Sequence, residues 1–453
     1  MRLNFVLSTA ASTVAIGVAA ISAPAFAQST GSVDFEKEIV VTGARNTIQQ
    51  VAGIASPDTS KAKAVLTAEN IQRQGAGQTI LDTVNQIPGV SFQNNDAYGS
   101  AGGTLNIRGF DASRISLTFD GVPLNDSGNY AIYSNQQIDP ELIEQVNVNL
   151  GTTDVDSPTA SAVGGTVNYR TRNPGHDFGG LVSGSLGEFD MWRVFGMVES
   201  GDITASGTRA WIAGSMTKNH VPFNNYGKID KKQVNAKIYQ PLGGDDFIAI
   251  SGHYNQNRNN FFGSMPLRWD TAGRTVGSAS TNRFPLNKDE RYYLVNSPCT
   301  VTAAVAGAAD VANTCGTEQD RKYNPSNTGN IRINSRFTLA DNLVLNVDPS
   351  YQYVKANGGG VSSGLESTTT VSGVAYTGYV GGKYYFGRDL NNDGDTKDTV
   401  SVLTPSQTQT NRIGVIASLK WEFDAHNTFR VAYTYDRARH RQTGEAGLLA
   451  ANG

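Results

Sequence analysis

Apolar and polar residues alternate with period two from about residue 178 to the end of the chain. Within 331–339, one face carries Ile331, Ile333, Ser335, Phe337 and Leu339; the other carries Arg332, Asn334, Arg336 and Thr338. Within 343–353, Leu343, Leu345, Val347, Pro349, Tyr351 and Tyr353 oppose Val344, Asn346, Asp348, Ser350 and Gln352. Residues 413–423 set Ile413, Val415, Ala417, Leu419, Trp421 and Phe423 against Gly414, Ile416, Ser418, Lys420 and Glu422, and 429–435 repeat the pattern. Successive side chains of a strand point to opposite faces, so these runs predict β-strands. About nine are expected, near 178–187, 190–200, 208–218, 232–240, 246–257, 328–339, 343–355, 411–423 and 427–439.

The connections alternate as well. Residues 200–207, 241–245, 340–342 and 424–426 are short links; 258–327 and 356–410 are very long, and 219–231 is intermediate. Glu188-Phe189 is a short exception at the first hairpin. An amphipathic β-sandwich has the same alternation, but its charged face meets solvent and its loops are similar at both ends. Short turns at one end and long loops at the other predict a transmembrane antiparallel β-barrel, with long extracellular loops and a polar lumen. Such a barrel needs an even number of strands. About nine strands, ending in a loop, therefore predict an incomplete barrel with an open edge.

Residues 48–174 are patterned differently. Ile80, Leu81, Val84 and Ile87 fall at helical spacing, and Pro88-Gly89 stops the helix. Thr67 is placed to cap a short helix through Arg73 that Gly75 ends. Short β-rich runs follow at 90–93, 104–108, 115–119, 146–150 and 165–170, divided by turn-rich segments such as Asn94-Asn95-Asp96 and Asp120-Gly121. The expectation is an α+β domain of ordinary size.

Upstream, Arg2, an apolar run over 5–21 and Ala25-Phe26-Ala27 read as a signal peptide over 1–27 with an A-x-A cleavage site. Residues 28–47 form a polar linker around Glu38-Ile39-Val40-Val41-Thr42-Gly43, a β-prone hexapeptide able to add as a strand to a partner's sheet. Taken alone, it could equally be a first strand of the following domain. The net charge of −3 gives no sign of nucleic-acid binding. A slightly polar average composition is compatible with a barrel, whose alternating residues cancel.

Five motifs occur in order: Ile87-Pro88-Gly89-Val90, Ile107-Arg108-Gly109-Phe110, Asp120-Gly121-Val122-Pro123, Ile143-Glu144-Gln145-Val146 and Gly164-Gly165-Thr166-Val167-Asn168. On these residues the chain resembles the N-terminal portion of a TonB-dependent outer-membrane receptor. Two departures are visible. Leu150-Gly151-Thr152 stands where the family usually has Arg-Gly-Pro, and the usual glycine-rich stretch with a tyrosine before Gly164 is missing. The resemblance implies an α+β plug domain (48–174) inside a barrel of about 22 strands, of which 175–453 are the N-terminal part. It implies a TonB box at 38–43, and as partners TonB with its inner-membrane energising complex, outer-membrane lipid and a small-molecule ligand. The implied function is active import across the outer membrane of a Gram-negative bacterium, with a ferric siderophore as the family's commonest cargo. Carbohydrate or cobalamin uptake is the alternative, and an outer-membrane hydrolase is the alternative of another class.

In the family the plug loops matching Asn94-Asn95-Asp96-Ala97-Tyr98 and Asn129-Tyr130-Ala131-Ile132-Tyr133 point outward. Tyr98, Tyr130 and Tyr133 are therefore expected to contact ligand, with Asn94, Asn95 and Asn129 as hydrogen-bonding partners. The competing expectation is that these loops pack on the barrel wall. Cys299 and Cys315, both in the longest loop of an exported chain, are expected to form a disulfide.

Asp389, Asn391, Asp393 and Asp395, with Gly394, match the first half of a Ca²⁺ loop. The twelfth position is Val400 rather than Glu, leaving Asp398 as its substitute; a solvated acidic loop is the favoured alternative. Gly360-Val361-Ser362-Ser363-Gly364 satisfies G-x-S-x-G but lacks the strand-then-helix setting of a nucleophile elbow. No catalytic set emerges, so the chain is not expected to be an enzyme.

Overall fold

The computed structural model describes residues 54–55, 62–75, 77–151, 153, 161–220, 227–260, 303–310, 323–424 and 427–448. The leader, the hexapeptide Glu38 to Gly43, Cys299 and Cys315 lie outside them.

The first layer is a six-stranded sheet in the order β1-β2-β7-β8-β5-β6. It comprises β1 (Ile54–Ala55), β2 (Lys63–Thr67), β5 (Ile115–Phe119), β6 (Val122–Pro123), β7 (Ile143–Leu150) and β8 (Gly165–Thr171). Only β5 and β8 pair parallel. A separate hairpin joins β3 (Val90–Asn94) to β4 (Gly103–Ile107). Two five-residue helices, α1 (Ala68–Gln72) and α2 (Ile80–Val84), stand where helical spacing placed them. Thr67 occupies the N-cap of α1, yet its side chain makes no cap bond. It is also the last residue of β2, held opposite Gln145 by the sheet.

Two of the ordered motifs are tight turns. Arg108-Gly109 and Asp120-Gly121 each put both central residues at positive φ (50° and 85°, 45° and 84°). Successive positive φ values define the type I′ hairpin turn, and Gly in second place carries no Cβ penalty there. Gly165 serves close approach instead: a Cβ would stand 2.1 Å from the Asn149 carbonyl oxygen.

The second layer is an antiparallel run of nine long strands. They are β9 (Phe178–Gly187), β10 (Met191–Ser200), β11 (Arg209–His220), β12 (Lys228–Gly243), β13 (Asp246–Asn260), β14 (Tyr323–Ala340), β15 (Leu343–Leu365), β20 (Thr399–Glu422) and β21 (Thr428–Gly444). Each pairs with the next, and among the described residues β9 does not pair with β21, so the described wall is open. Four tight links share one end, and the long connections share the other.

Several strands outrun their alternation. β15 and β20 stay paired from Leu343↔Trp421 to Leu365↔Thr399, so much of the segment expected as loop is a strand pair. Backbone ladders need no apolar face, which is why side-chain periodicity under-reads these ends. The G-x-S-x-G match lies in β15, with Ser362 opposite Val402, and not at a strand-to-helix turn. Beyond it the loop folds into short strands β16 (Thr369–Val371), β17 (Val374–Tyr376), β18 (Gly378–Val380) and β19 (Lys383–Tyr385). A two-residue strand, β22 (Gly447–Leu448), adds to β20.

The faces decide between sandwich and barrel. Ile331 is 58% exposed whereas Arg332 is 2% exposed. Val194, Ile212, Val234, Ile250 and Val431 are exposed, and Arg193, Lys237, Asn235, Asn255 and Asn334 are buried. Apolar-out and polar-in is the arrangement lipid requires and water forbids. Trp421, Phe423 and Phe429 cluster beside a tight link (centroids 4.0 and 6.5 Å apart), as an interfacial aromatic girdle does. No helix among the described residues is long and apolar enough to cross a membrane.

Candidate functional site

The first layer is buried against the polar face of the second, and two features result. One is a polar seam. Asp120, in the β5–β6 turn, is fully buried and pairs with Arg332 of β14 at 2.6 Å. It also accepts bonds from the Thr171 backbone N–H (2.8 Å) and hydroxyl (2.7 Å). The Arg332 guanidinium lies 3.7 Å from the Phe119 ring centroid, and Lys237 Nζ reaches the Thr171 hydroxyl at 3.3 Å. Burial acts to raise the Asp120 carboxyl, but Arg332, Lys237 and Thr171 override it and hold it below its ordinary value. A second knot joins Arg193 of β10 to Asp139 (3.0 Å) and Glu141 (2.6 Å). Lys231 and Gln233 donate to the Gln137 carbonyl at 2.8 and 2.9 Å, and Asn255 and Asn257 to the Asn135 carbonyl at 2.8 and 3.0 Å.

The other feature is a cavity at the long-loop end. A space of about 520 Å³ is lined by Asn95, Asn129, Tyr133 and Asn135 of the first layer and by Asn259, Asn260 and Asn324 of the wall. A neighbouring space of about 340 Å³ shares Asn129, Tyr133, Asn135 and Asn324, and adds Asp126 and His440. Neither lining contains Lys or Arg. Carboxamides dominate, and each can donate and accept. Asn129 Nδ2 approaches the Tyr133 hydroxyl at 3.4 Å. The Asp126 carboxylate accepts from the N–H groups of Gly128 (2.7 Å) and Asn129 (3.1 Å), which fixes that apex.

Of the six residues expected to contact ligand, the fold gathers Asn95, Asn129 and Tyr133 on the cavity. Asn94 donates to Asp82. The Tyr98 hydroxyl donates to the Glu188 carbonyl at 3.0 Å, docking this loop on the first wall hairpin. Tyr130, at φ 61°, turns the apex, and its carbonyl accepts from Asn125 at 3.1 Å. Asn135, Asn259, Asn260, Asn324 and His440 were not foreseen; only the topology brings them together. Asp120 and Arg332 were legible in part, as a turn residue and as a member of a polar strand face. Asp389, Asn391, Asp393, Asp395 and Asp398 lie apart from the cavity, in the loop between β15 and β20.

A small α+β domain seated against the polar face of an apolar-out β-wall defines a plug-and-barrel protein. Residues 56–166 match the TonB-dependent Receptor Plug Domain. The ferripyoverdine receptor of Pseudomonas aeruginosa is 24% identical over 270 residues, covering 55% of this chain and 32% of that protein. Two solved structures are similar in fold. One is the ferric-catecholate import receptor Fiu of E. coli (18% identical, TM-score 0.55, covering 87% of this chain and 49% of that one). The other is BauA, the ferric preacinetobactin receptor of Acinetobacter baumannii (15% identical, TM-score 0.56, covering 86% and 48%). This chain thus spans less than half the length of these relatives. Its residues 56–166 are similar to the plug domain of TonB-dependent receptors, and its plug-and-barrel fold is similar to that of these solved receptors.

Proposed function

We propose that the protein imports a ferric siderophore across the outer membrane of a Gram-negative bacterium. The observation that carries this reading is the carboxamide-lined cavity between plug apices and wall at the long-loop end. Ligand enters from outside and meets Asn95, Asn129 and Tyr133, while Asn94, Tyr98 and Tyr130 hold the apices in place. Carboxamide donors and acceptors suit a carbonyl- and hydroxyl-rich chelate, and the relatives' names as ferric siderophore receptors support that cargo. The same lining also fits an oligosaccharide, which makes carbohydrate uptake the second reading.

Release requires the polar seam to part. TonB, energised from the inner membrane, pairs with Glu38 to Gly43 and pulls the plug. The residues before the plug deliver the chain: 1–27 as a cleaved leader and 28–47 as the tether. Val40→Pro removes a backbone N–H from the added strand. In the receptor it should abolish energised uptake of radiolabelled ferric siderophore while leaving binding unchanged; unimpaired uptake rejects the TonB-box role. Uptake of labelled oligosaccharide without ferric siderophore uptake selects the second reading.

A further inference from the structure

The loop between β15 and β20 gathers carboxylates that the Ca²⁺-loop motif alone does not contain. Oxygens of Glu366, Asp395 and Asp398 all lie within 4.8 Å of one another, as do those of Asp310, Asp393 and Asp398. Asp398 belongs to both sets, so two carboxylate triads drawn from three segments adjoin at one shared residue. Glu366 and Asp398 are 0% and 1% exposed. The five form no ion pair with Lys, Arg or His among the described residues; the nearby Lys397 ammonium donates instead to the Gly307 carbonyl at 2.7 Å.

An independent observation points to a ligand. Glu366 Oε1 accepts from the N–H groups of Leu390 (2.6 Å) and Asn391 (3.1 Å), which fixes the side chain. Its other oxygen, Oε2, is buried with no hydrogen-bond partner, and so is Asp393 Oδ2. A buried carboxylate oxygen without a donor is costly unless a cation meets it.

We propose that Glu366, Asp310, Asp393, Asp395 and Asp398 bind one Ca²⁺ that ties segment 303–310 to the β15–β20 loop. Ca²⁺ accepts six to eight oxygens in loose geometry, whereas Mg²⁺ demands a tight octahedron and keeps its waters. The motif's missing twelfth ligand is thereby supplied. Val400 occupies that position as a buried strand residue opposite Gly364, and Glu366 arrives two residues later on the paired strand. The motif's first residues act differently from expectation. Both Asp389 oxygens accept backbone N–H groups, from Asn392 (2.6 Å) and Gly394 (2.9 Å), and the Asn391 amide donates to Asp398 at 2.7 Å. They shape the loop around the ligands. Asp310 is already anchored: its N–H donates to Asp398 at 2.7 Å, and its carbonyl accepts from Thr399 at 3.0 Å.

The site is independent of the cargo, and its test uses Ca²⁺ alone. Detergent-solubilised, chelator-stripped protein is titrated with CaCl₂ by calorimetry, with MgCl₂ as comparison, and loop protection from protease is followed with and without Ca²⁺. One Ca²⁺ per chain is expected, with a Kd of roughly 10⁻⁶ to 10⁻³ M, and protease should spare the loop when Ca²⁺ is present. Glu366→Gln should weaken binding at least about tenfold (~1.4 kcal/mol). If that variant does not fold, Asp393→Asn on the half-exposed side decides, with several-fold loss expected. No binding up to about 10 mM Ca²⁺, wild-type affinity in the folded variants, or Mg²⁺ binding as tight as Ca²⁺ overturns the proposal.

Discussion

The protein has two interiors built on opposite principles. Inside the plug, Leu66, Ile80, Leu81, Ile107, Leu117, Phe119, Val146 and Val148 form one apolar cluster, which continues into the wall at Phe195, Met197, Trp211 and Ala213. Between plug and wall, Asp120, Arg332, Arg193, Asp139, Lys231 and Lys237 are just as buried. The first interior gains about 25 cal/mol for each Å² of apolar surface removed from water and is non-directional. In the second, desolvation offsets most of the Coulomb attraction, so a complete set of partners is near balance and a broken set is costly. Among the described residues, the apolar part of the plug–wall contact is limited to that stretch of β10 and β11. Around it, the polar contacts set which plug residues face which wall residues, and each is costly only when its partner is lost.

Breaking that seam should produce the largest effect. Arg332→Ala leaves Asp120 buried without its guanidinium and should destabilise plug docking by about 3–5 kcal/mol, seen as faster hydrogen exchange across β5 and β6. Exchange at the wild-type rate would mean the ion pair does not hold the plug. Leu117→Ala tests the other interior and should cost about 2–5 kcal/mol of plug stability. Denaturation at low and high salt separates the two, since only the seam variant should change the salt dependence.

A third test sharpens the boundary between them. Asp96 accepts from the N–H groups of Ala101 (2.8 Å) and Tyr98 (3.2 Å). Burial, with a smaller contribution from Asp82, raises its carboxyl from 3.8 to about 6 despite those bonds. A raised acid keeps its proton in the folded plug after the unfolded chain has lost it. Stability is then full below about pH 4, falls by up to about 1.4 kcal/mol per pH unit as pH rises to about 6, and is level above. Asp96→Asn should flatten this window in a pH series of melting curves; an unchanged slope assigns it to another group. The smallest effect is expected at the cavity. Tyr133→Ala should weaken ferric siderophore binding about tenfold (~1.4 kcal/mol), and Tyr98→Phe should change it less, because its hydroxyl is bonded to Glu188. Equal losses would shift the site toward the wall hairpin.

By itself the sequence determined the strand wall, its inside and outside, the end that bears long loops, and the plug's turns. These are local properties: a two-residue period is written in consecutive side chains, and Asp-Gly or Arg-Gly at positive φ needs no distant neighbour. Strand ends beyond the alternation were not legible, because backbone pairing at Ala356↔Thr408 or Gly360↔Thr404 leaves no mark on side-chain pattern. Tertiary structure alone decided which polar residues meet. Asp120 and Arg332 are 212 positions apart, and Asn95 and Asn324 share a cavity from two different layers. Glu366 meets the acidic loop from the opposite strand. Such partnerships follow from how far each strand climbs before it turns, and that distance is set by the sheet as a whole.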